Sequence, residues 1–327
     1  MPELVDVEPG SPEWLAARRE GVTATDIPVI CGLTAGNTPW ALWHQKRGIL
    51  PDTPDSDRFR LGRFLEPYIC EQWRLANTVS FDNLTDGGTS YRSNERPWQM
   101  ATIDRGLVTE DALEPVELKS WADADRPRWD DGPPPAVRAQ VLWQMDVMGV
   151  GRGHVACLFL PSGELRSYVI EHDHPEWRDE RTGLMSGAGR LACEACKDID
   201  VMRDAGRDFM DLLDLGTPPP VDGSAVTLAA LKARWAPVVA PEPCEVDPDL
   251  WEKYEEWAEA ERSAENLKRG FEALIRDQAG HAGEWTIGGV TVARRLRYPV
   301  KAHMRRASMV DKIIRVKVKE DDSEAEG

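Results

Sequence analysis

Asp104, Glu117 and Lys119 have types and spacing that could cut a phosphodiester. That reaction needs charge neutralised on an anionic group, a water activated and a leaving oxygen assisted, and one or two Mg²⁺ ions can do all three. Mg²⁺ takes hard oxygen ligands, so carboxylates from different elements must converge. Asp104 ends a strand-like stretch just before Arg105-Gly106, which reads as a turn, and Glu117 follows thirteen residues later in the alternating strand Val116-Glu117-Leu118-Lys119. Pairing of these two strands brings both carboxylates together. Glu117 and Lys119 then share one face, with Val116, Leu118 and Ser120 on the other. A lysine beside a metal-bound carboxylate can orient the attacking water or help deprotonate it. Each residue alone also has an ordinary reading, as a solvated strand face or a turn aspartate.

The elements that must position these residues follow from the local pattern. Ser11-Pro12-Glu13 and Thr38-Pro39 open helices within residues 11–48, and Thr25-Asp26 opens another turn. A helix from about Arg60 to Ala76 places Leu61, Leu65, Ile69 and Trp73 on an apolar face, with Glu66 beside it. Val79 to Ser120 reads as an antiparallel meander turning at Gly87-Gly88 and Arg105-Gly106. Ala136 to Met148 is the next helix, with Val137, Val141, Met145 and Met148 on one face, and strands His154–Leu160 and Glu164–Glu171 follow. This order predicts an α/β core with a mixed central sheet flanked by helices.

Residues 175–215 read as mostly helical, and Gly216-Thr217-Pro218-Pro219-Pro220 as a boundary. The expected organisation is a catalytic domain over 1–220, a Pro-rich linker over 221–247, and a helical and small β appendage over 248–327. In the appendage Leu250, Tyr254, Trp257, Ala264, Leu267, Phe271 and Leu274 form a helical stripe that wants a partner helix or a groove. Trp285 to Val292 reads as a hairpin with a two-residue turn.

Across 327 residues the formal net charge is -17, which argues against coating nucleic acid by bulk electrostatics but leaves room for a local channel. From Thr291 to Lys319 there are ten Lys or Arg against Asp311 alone, before an acidic end. Alternation in Ile314 to Lys319 puts Arg315, Lys317 and Lys319 on one strand face, a candidate DNA-tracking surface or a lysine-protected edge strand. Six cysteines in apolar or helical stretches read as thiols rather than a disulfide framework. Cys193-Glu194-Ala195-Cys196 lacks the second pair a metal cluster needs, and His172-Asp173-His174 reads as a loop. No apolar run approaches the ~20 residues of a membrane span and the first residues lack a signal-peptide pattern, so a cytoplasmic protein is expected, in a host cytoplasm if phage-encoded.

Ile103-Asp104 followed by Glu117-Leu118-Lys119 resembles the PD-(D/E)XK nuclease motif, with Ile103 where that superfamily often has Pro. Further blocks sharpen the likeness: Gly10 to Arg18, Thr23 to Ile27, Gly62-Arg63-Phe64-Leu65-Glu66-Pro67, and Ala139-Gln140-Val141. In this order and spacing they resemble the YqaJ-like viral recombinase family, which includes lambda-type exonucleases, well over residues 8–172 and loosely beyond. The resemblance implies that Asp104 and Glu117, with the Leu118 backbone carbonyl, hold Mg²⁺ (Mn²⁺ substituting), and that Lys119 works on the attacking water. It makes Glu66, otherwise an exposed helix carboxylate, a further metal-site acid. It makes Gln140, otherwise a surface amide, a support for the lysine; Gln144, one turn on, shares its face more weakly. Arg18, with Arg19 as a neighbouring competitor, is implied to hold a 5′-phosphate. Thr25 is implied to hold phosphate at a helix start, against its plain reading as an N-cap.

The implied activity is 5′ to 3′ digestion of one strand from a duplex DNA end, leaving 3′ single-stranded tails for an annealing protein in phage-type recombination. Lambda-type relatives form ring-shaped trimers, so a homo-oligomer is an implied partner state. An internally cutting endonuclease, and a non-catalytic acidic protein that binds DNA or a recombination partner, are the competing readings.

Overall fold

The computed structural model describes residues 2–52, 56–172, 193–235, 245–279, 284–287 and 290–294. The chain divides into two compact units, Met1–Ala236 and Pro237–Gly327.

In the first unit, strands β1 (Glu3–Val5), β2 (Thr89–Arg92) and β3 (Met100–Ile103) form an antiparallel sheet in that order. Strands β4 (Arg105–Val108), β5 (Leu113–Ala122), β6 (Arg152–Leu160) and β7 (Leu165–Glu171) form a second sheet in the order β4-β5-β6-β7. β4 pairs antiparallel with β5 and β6 with β7, whereas β5 and β6 are parallel. Parallel neighbours need a crossover, and helix α5 (Pro135–Met148) supplies it. The core is thus the mixed α/β arrangement that the order of elements in the sequence predicts.

Four helices precede β2: α1 (Pro12–Arg19), α2 (Ile27–Ile30), α3 (Pro39–Lys46) and α4 (Asp57–Ala76). Ser11, Thr38 and Ser56 cap α1, α3 and α4, each accepting from the backbone N–H three residues on. After β7 come α6 (Glu194–Asp214) and α7 (Ala225–Arg234). Alternation in β5 and β6 divides the core. Val155, Cys157 and Phe159 join α5, α2 and α6 on one face, while Val116, Leu118, Ala156 and Leu158 join Ile69, Cys70 and Trp73 of α4 on the other. Gly153 lets α5 lie close, since a Cβ there meets Val141 at 2.7 Å and Met145 at 3.0 Å. Nearly every face of α5 is buried, and it ends at Gly149 with φ +69°.

Three expectations are corrected. Arg105-Gly106 is no turn but the start of β4, and the meander is broken because the chain passes between the two sheets at Asp104. Gly106 serves close packing, since a Cβ there meets Leu113 at 2.5 Å; the β4–β5 turn lies at Thr109 to Ala112, whose N–H and C=O bond at 2.9 Å. Leu61 is exposed rather than on the buried face, because the sheet meets only the middle of α4, around Ile69, Cys70 and Trp73. The stretch expected to be a linker begins with α7, whose Ala230 and Leu231 pack on Trp40, Ala41 and Leu50 and whose Thr227 hydroxyl meets that of Thr38 at 2.8 Å.

In the second unit, α8 (Pro248–Ala279) has no buried residue. Strands β8 (Glu284–Ile287) and β9 (Val290–Arg294) pair antiparallel, forming the expected hairpin. Arg315, Lys317 and the basic stretch expected to form a strand around them lie outside the described residues.

Candidate active site

Pairing of β4 with β5 puts Arg105 opposite Val116, so Asp104 and Glu117 stand side by side at the ends of the paired segment. Asp104 Oδ2 accepts a 2.8 Å bond from the Leu118 backbone N–H, and among the described residues this is its only hydrogen bond. Glu117 is 1% exposed and fully engaged on the α5 face of the sheet. Its Oε1 accepts from Lys119 Nζ and from Gln140 Nε2 at 2.6 Å, and its Oε2 accepts from Gln144 Nε2 at 2.6 Å. Lys119 Nζ also donates to Gln140 Oε1 at 3.1 Å. One helical turn separates the two glutamines, so α5 grips both carboxylate oxygens from above.

Sequence reasoning ranked Gln144 too low. It is fully buried, and its Nε2 also reaches the Thr102 carbonyl at 3.2 Å, while its Oε1 has no hydrogen-bond partner. The available signal was composition: an amide in a helix whose other inward positions are apolar needs a polar partner in the core.

The charges around this cluster do not balance. Burial and the neighbouring Glu117 push the Asp104 carboxyl up to about 8, against the pull of Lys119 and of the Leu118 N–H. Burial also raises Glu66, with Glu117 adding to the rise and Arg105, Lys119 and Arg63 opposing it. For Lys119, burial favours the neutral amine, but Glu117 and Asp104 outweigh it and raise its pKa, so the side chain is held as an ammonium. Glu66 comes from α4, on the opposite face of the sheet, and it influences the cluster through charge; among the described residues no hydrogen bond joins it to the other three.

Among the described residues no three His, Cys, Asp or Glu side chains close on one point as a metal cage. The donors that fit a cation are the Asp104 and Glu117 carboxylates and the Leu118 carbonyl. This set suits Mg²⁺, which keeps several waters and is commonly held by one or two carboxylates. A carboxyl driven to about 8 by its own surroundings is the second sign of fit, because a divalent cation would relieve that repulsion.

A second cluster lies at the loop between α1 and α2. Arg18 sits over the Trp14 ring, 4.4 Å from its centre, and donates to the exposed Thr25 hydroxyl at 2.7 Å. Arg19 instead pairs with Asp52 at 2.7 Å on the surface. Thr25 is not the N-cap of α2, because Asp26 occupies that position and its carboxylate turns back to the Thr23 N–H and hydroxyl at 2.9 and 2.7 Å. Buried Lys46 braces the loop, meeting Asp26 at 2.7 Å and the Arg18 and Gly21 carbonyls at 2.8 and 2.6 Å. Burial alone would raise the Asp26 carboxyl, but Lys46 and Arg18 hold it below the usual range.

Comparison with known proteins finds likenesses over part of the chain. Residues 13–151 match the YqaJ-like viral recombinase domain. The uncharacterized protein YqaJ of Bacillus subtilis (strain 168) is 25% identical over 231 residues, which cover 68% of this chain and 63% of YqaJ. The chain therefore spans less than two thirds of the length of that curated relative. Among solved structures, an alkaline exonuclease from Laribacter hongkongensis aligns at 18% identity and a TM-score of 0.43, covering 63% of this chain and 98% of that one. A phage related exonuclease from Haemophilus somnus aligns at 11% identity and a TM-score of 0.42, covering 60% and 96%. The matched residues, 13–151, include every residue of both clusters, from Trp14 to Gln144.

Proposed function

We propose that this protein is a Mg²⁺-dependent DNA exonuclease that digests one strand of linear duplex DNA from 5′ to 3′. The observation that carries the reading is Glu117, buried beside a crowded Asp104 and held on both oxygens by Lys119, Gln140 and Gln144. Asp104, Glu117 and the Leu118 carbonyl hold the cation, with Mn²⁺ as a substitute. When bound, Mg²⁺ supplies the Lewis acidity that neutralises charge on the scissile phosphate. Glu66 adds negative charge at the rim, which strengthens cation binding. Lys119, as an ammonium, orients the attacking water and steadies negative charge on the phosphate rather than taking a proton. Gln140 fixes the lysine, and the two glutamines fix the glutamate.

Arg18 and Thr25 give the reading its preference for ends. A guanidinium stacked on Trp14, with a hydroxyl beside it, can hold a terminal 5′-phosphate through paired hydrogen bonds. Digestion from that end leaves 3′ single-stranded tails, the substrate of a single-strand annealing protein in phage-type recombination. A homo-oligomer, a trimer in the lambda-type relatives, accords with a protein that stays on one strand. Arg315 and Lys317 extend the DNA contact in this proposal.

The test uses linear duplexes with and without a 5′-phosphate, and a circular duplex, in Mg²⁺. The wild type should degrade the phosphorylated linear duplex faster and spare the circle, Lys119→Ala should degrade nothing, and Arg18→Ala should lose the preference for the phosphate. A wild type that digests no DNA would overturn the enzymatic reading, and cutting of the circle would make it an endonuclease.

A further inference from the structure

We infer that Asp26 and Lys46 set the affinity of the loop between α1 and α2 for a terminal phosphate, Lys46 being the positioning residue that keeps Asp26 from capturing Arg18. This role rests on the reading of Arg18 and Thr25 as the end-binding pair, and it adds the charges that govern them.

One line of donors runs through the loop. Arg18 Nη2 donates to the Thr25 hydroxyl at 2.7 Å, the Thr25 and Thr23 hydroxyls lie 3.0 Å apart, and the Thr23 hydroxyl donates to Asp26 Oδ2 at 2.7 Å. Thr23 spends its one proton on Asp26, so Thr25 donates to Thr23 and every bond in the line points inward. Arg18 Nη2 also reaches Thr23 Oγ1 at 3.5 Å, so the buried Asp26 carboxylate stands one hydroxyl away from the guanidinium that takes the phosphate. A carboxylate so placed repels an incoming anion and draws Arg18 away from it, and burial leaves its charge little screened.

Lys46 cancels that charge from the inner side. Its Nζ meets Asp26 Oδ2 at 2.7 Å and the Arg18 and Gly21 carbonyls at 2.8 and 2.6 Å, which uses all three ammonium protons. With its side chain 5% exposed and no proton to spare, Lys46 binds no phosphate itself and acts through Asp26 and the Arg18 backbone. The other charges of the loop are matched as well, Arg19 by Asp52 and Glu20 by Arg92. Arg18 holds no ion pair among the described residues and is left as the loop's one uncompensated charge. Burial raises the Asp26 carboxyl, and Lys46 followed by Arg18 brings it below its usual range, so Arg18 is next in line for Asp26 once the lysine charge is gone.

The experiment measures dissociation constants of the full chain for linear duplexes with and without a 5′-phosphate, in chelator so that nothing is cut. Wild type should bind the phosphorylated duplex more tightly. Lys46→Met, which keeps an apolar stem and removes the charge, should weaken that complex about 30-fold and leave the unphosphorylated one within about twofold. Adding Asp26→Asn should restore the preference, because the acid that captures Arg18 is gone. Equal weakening on both duplexes, or a preference that Lys46→Met leaves intact, reduces Lys46 to a structural brace and overturns the inference. A folded double variant without the preference overturns it too, even where Lys46→Met alone does not fold. A wild type without the preference overturns the end-binding reading along with it.

Discussion

Helix α5 carries two carboxylate environments of opposite character. Toward β5 it lays Gln140 and Gln144 on Glu117, in a cluster where Asp104 is driven up to about 8 and Glu66 is raised as well. Two residues beyond Gln144, Asp146 meets Arg203 at its Nε, 2.9 Å away, and at its Nη2, Arg96 at 3.4 Å, and buried Gln99 at 2.6 Å. Burial would raise Asp146 too, but Arg203 and then Gln99 and Arg96 hold its carboxyl below the usual range. The fold neutralises the aspartate completely and leaves the other cluster short of positive charge. That deficit, which the chain fills around Asp146, is the contrast on which the proposed cation and phosphate site rests.

Substitutions that separate activity from stability break or sharpen this contrast most. Glu117→Gln should lower nuclease turnover about 10³-fold or more, on the scale of losing a positioned catalytic group. It should not lower the melting temperature of the cation-free protein, because a charge that crowds Asp104 is gone. Asp146→Ala should do the reverse, costing about 3–5 kcal/mol of unfolding free energy by leaving Arg203 and Arg96 facing a buried hole. Turnover per folded molecule should hold. Thermal melts beside single-turnover digestion check both, and an Asp146→Ala protein that melts normally yet fails to digest would erase the distinction.

Proton linkage gives the next effect. Asp104 in the cation-free protein keeps its proton up to about 8, while an unfolded aspartate loses it near 3.8. Between these values the folded state binds more protons, so stability attributable to this group falls as pH rises from about 4 to about 8. Mg²⁺ has to displace that proton, so its stabilising effect should grow with pH across the same window. Asp104→Asn should flatten both trends. For Asp146 the sign is opposite: its depressed pKa contributes stability above about 4 that disappears on further acidification. Melting curves in chelator and in Mg²⁺ between pH 5 and 9 read the first trend, and equal Mg²⁺ stabilisation at both ends would remove the crowded acid from the account.

Legibility in the sequence followed the range of the physics. Glu117 and Lys119 could be read because a strand alternates with period two, and their joint approach to α5 follows from that alone. Asp104 was readable as Glu117's neighbour, although by the wrong device: Gly106 permits close packing against Leu113, and a glycine in sequence announces a turn and a close approach alike. Leu61 failed because helical periodicity shows which side of α4 is apolar but not how far along it the sheet reaches. The placing of Glu66 near Glu117 depends on α4 crossing the opposite face of the sheet, a tertiary fact that no local pattern encodes, so only family resemblance pointed to it.

Gln144 gives the smallest and most discriminating prediction. Gln140 lies on the open side of Glu117 with Lys119, whereas Gln144 lies wholly inside, binding Glu117 Oε2 and the Thr102 carbonyl with one amide nitrogen. Gln144→Leu keeps an apolar side chain of comparable bulk but leaves a buried carboxylate oxygen without its donor, a loss of about 1.5–3 kcal/mol for a bond to a charged group. If Glu117 stays fixed by Lys119 and Gln140, that cost appears in stability and turnover is unchanged. If Gln144 sets the carboxylate plane, the glutamate rotates away from Asp104, and turnover should fall about tenfold or more with a matching rise in the Mg²⁺ needed for half-maximal activity. The packing of α5 on β3 and β5 favours the second outcome, since no other described donor reaches Oε2. A Mg²⁺ titration of Gln144→Leu that overlays the wild type would leave the amide a purely structural group, like those around Asp146.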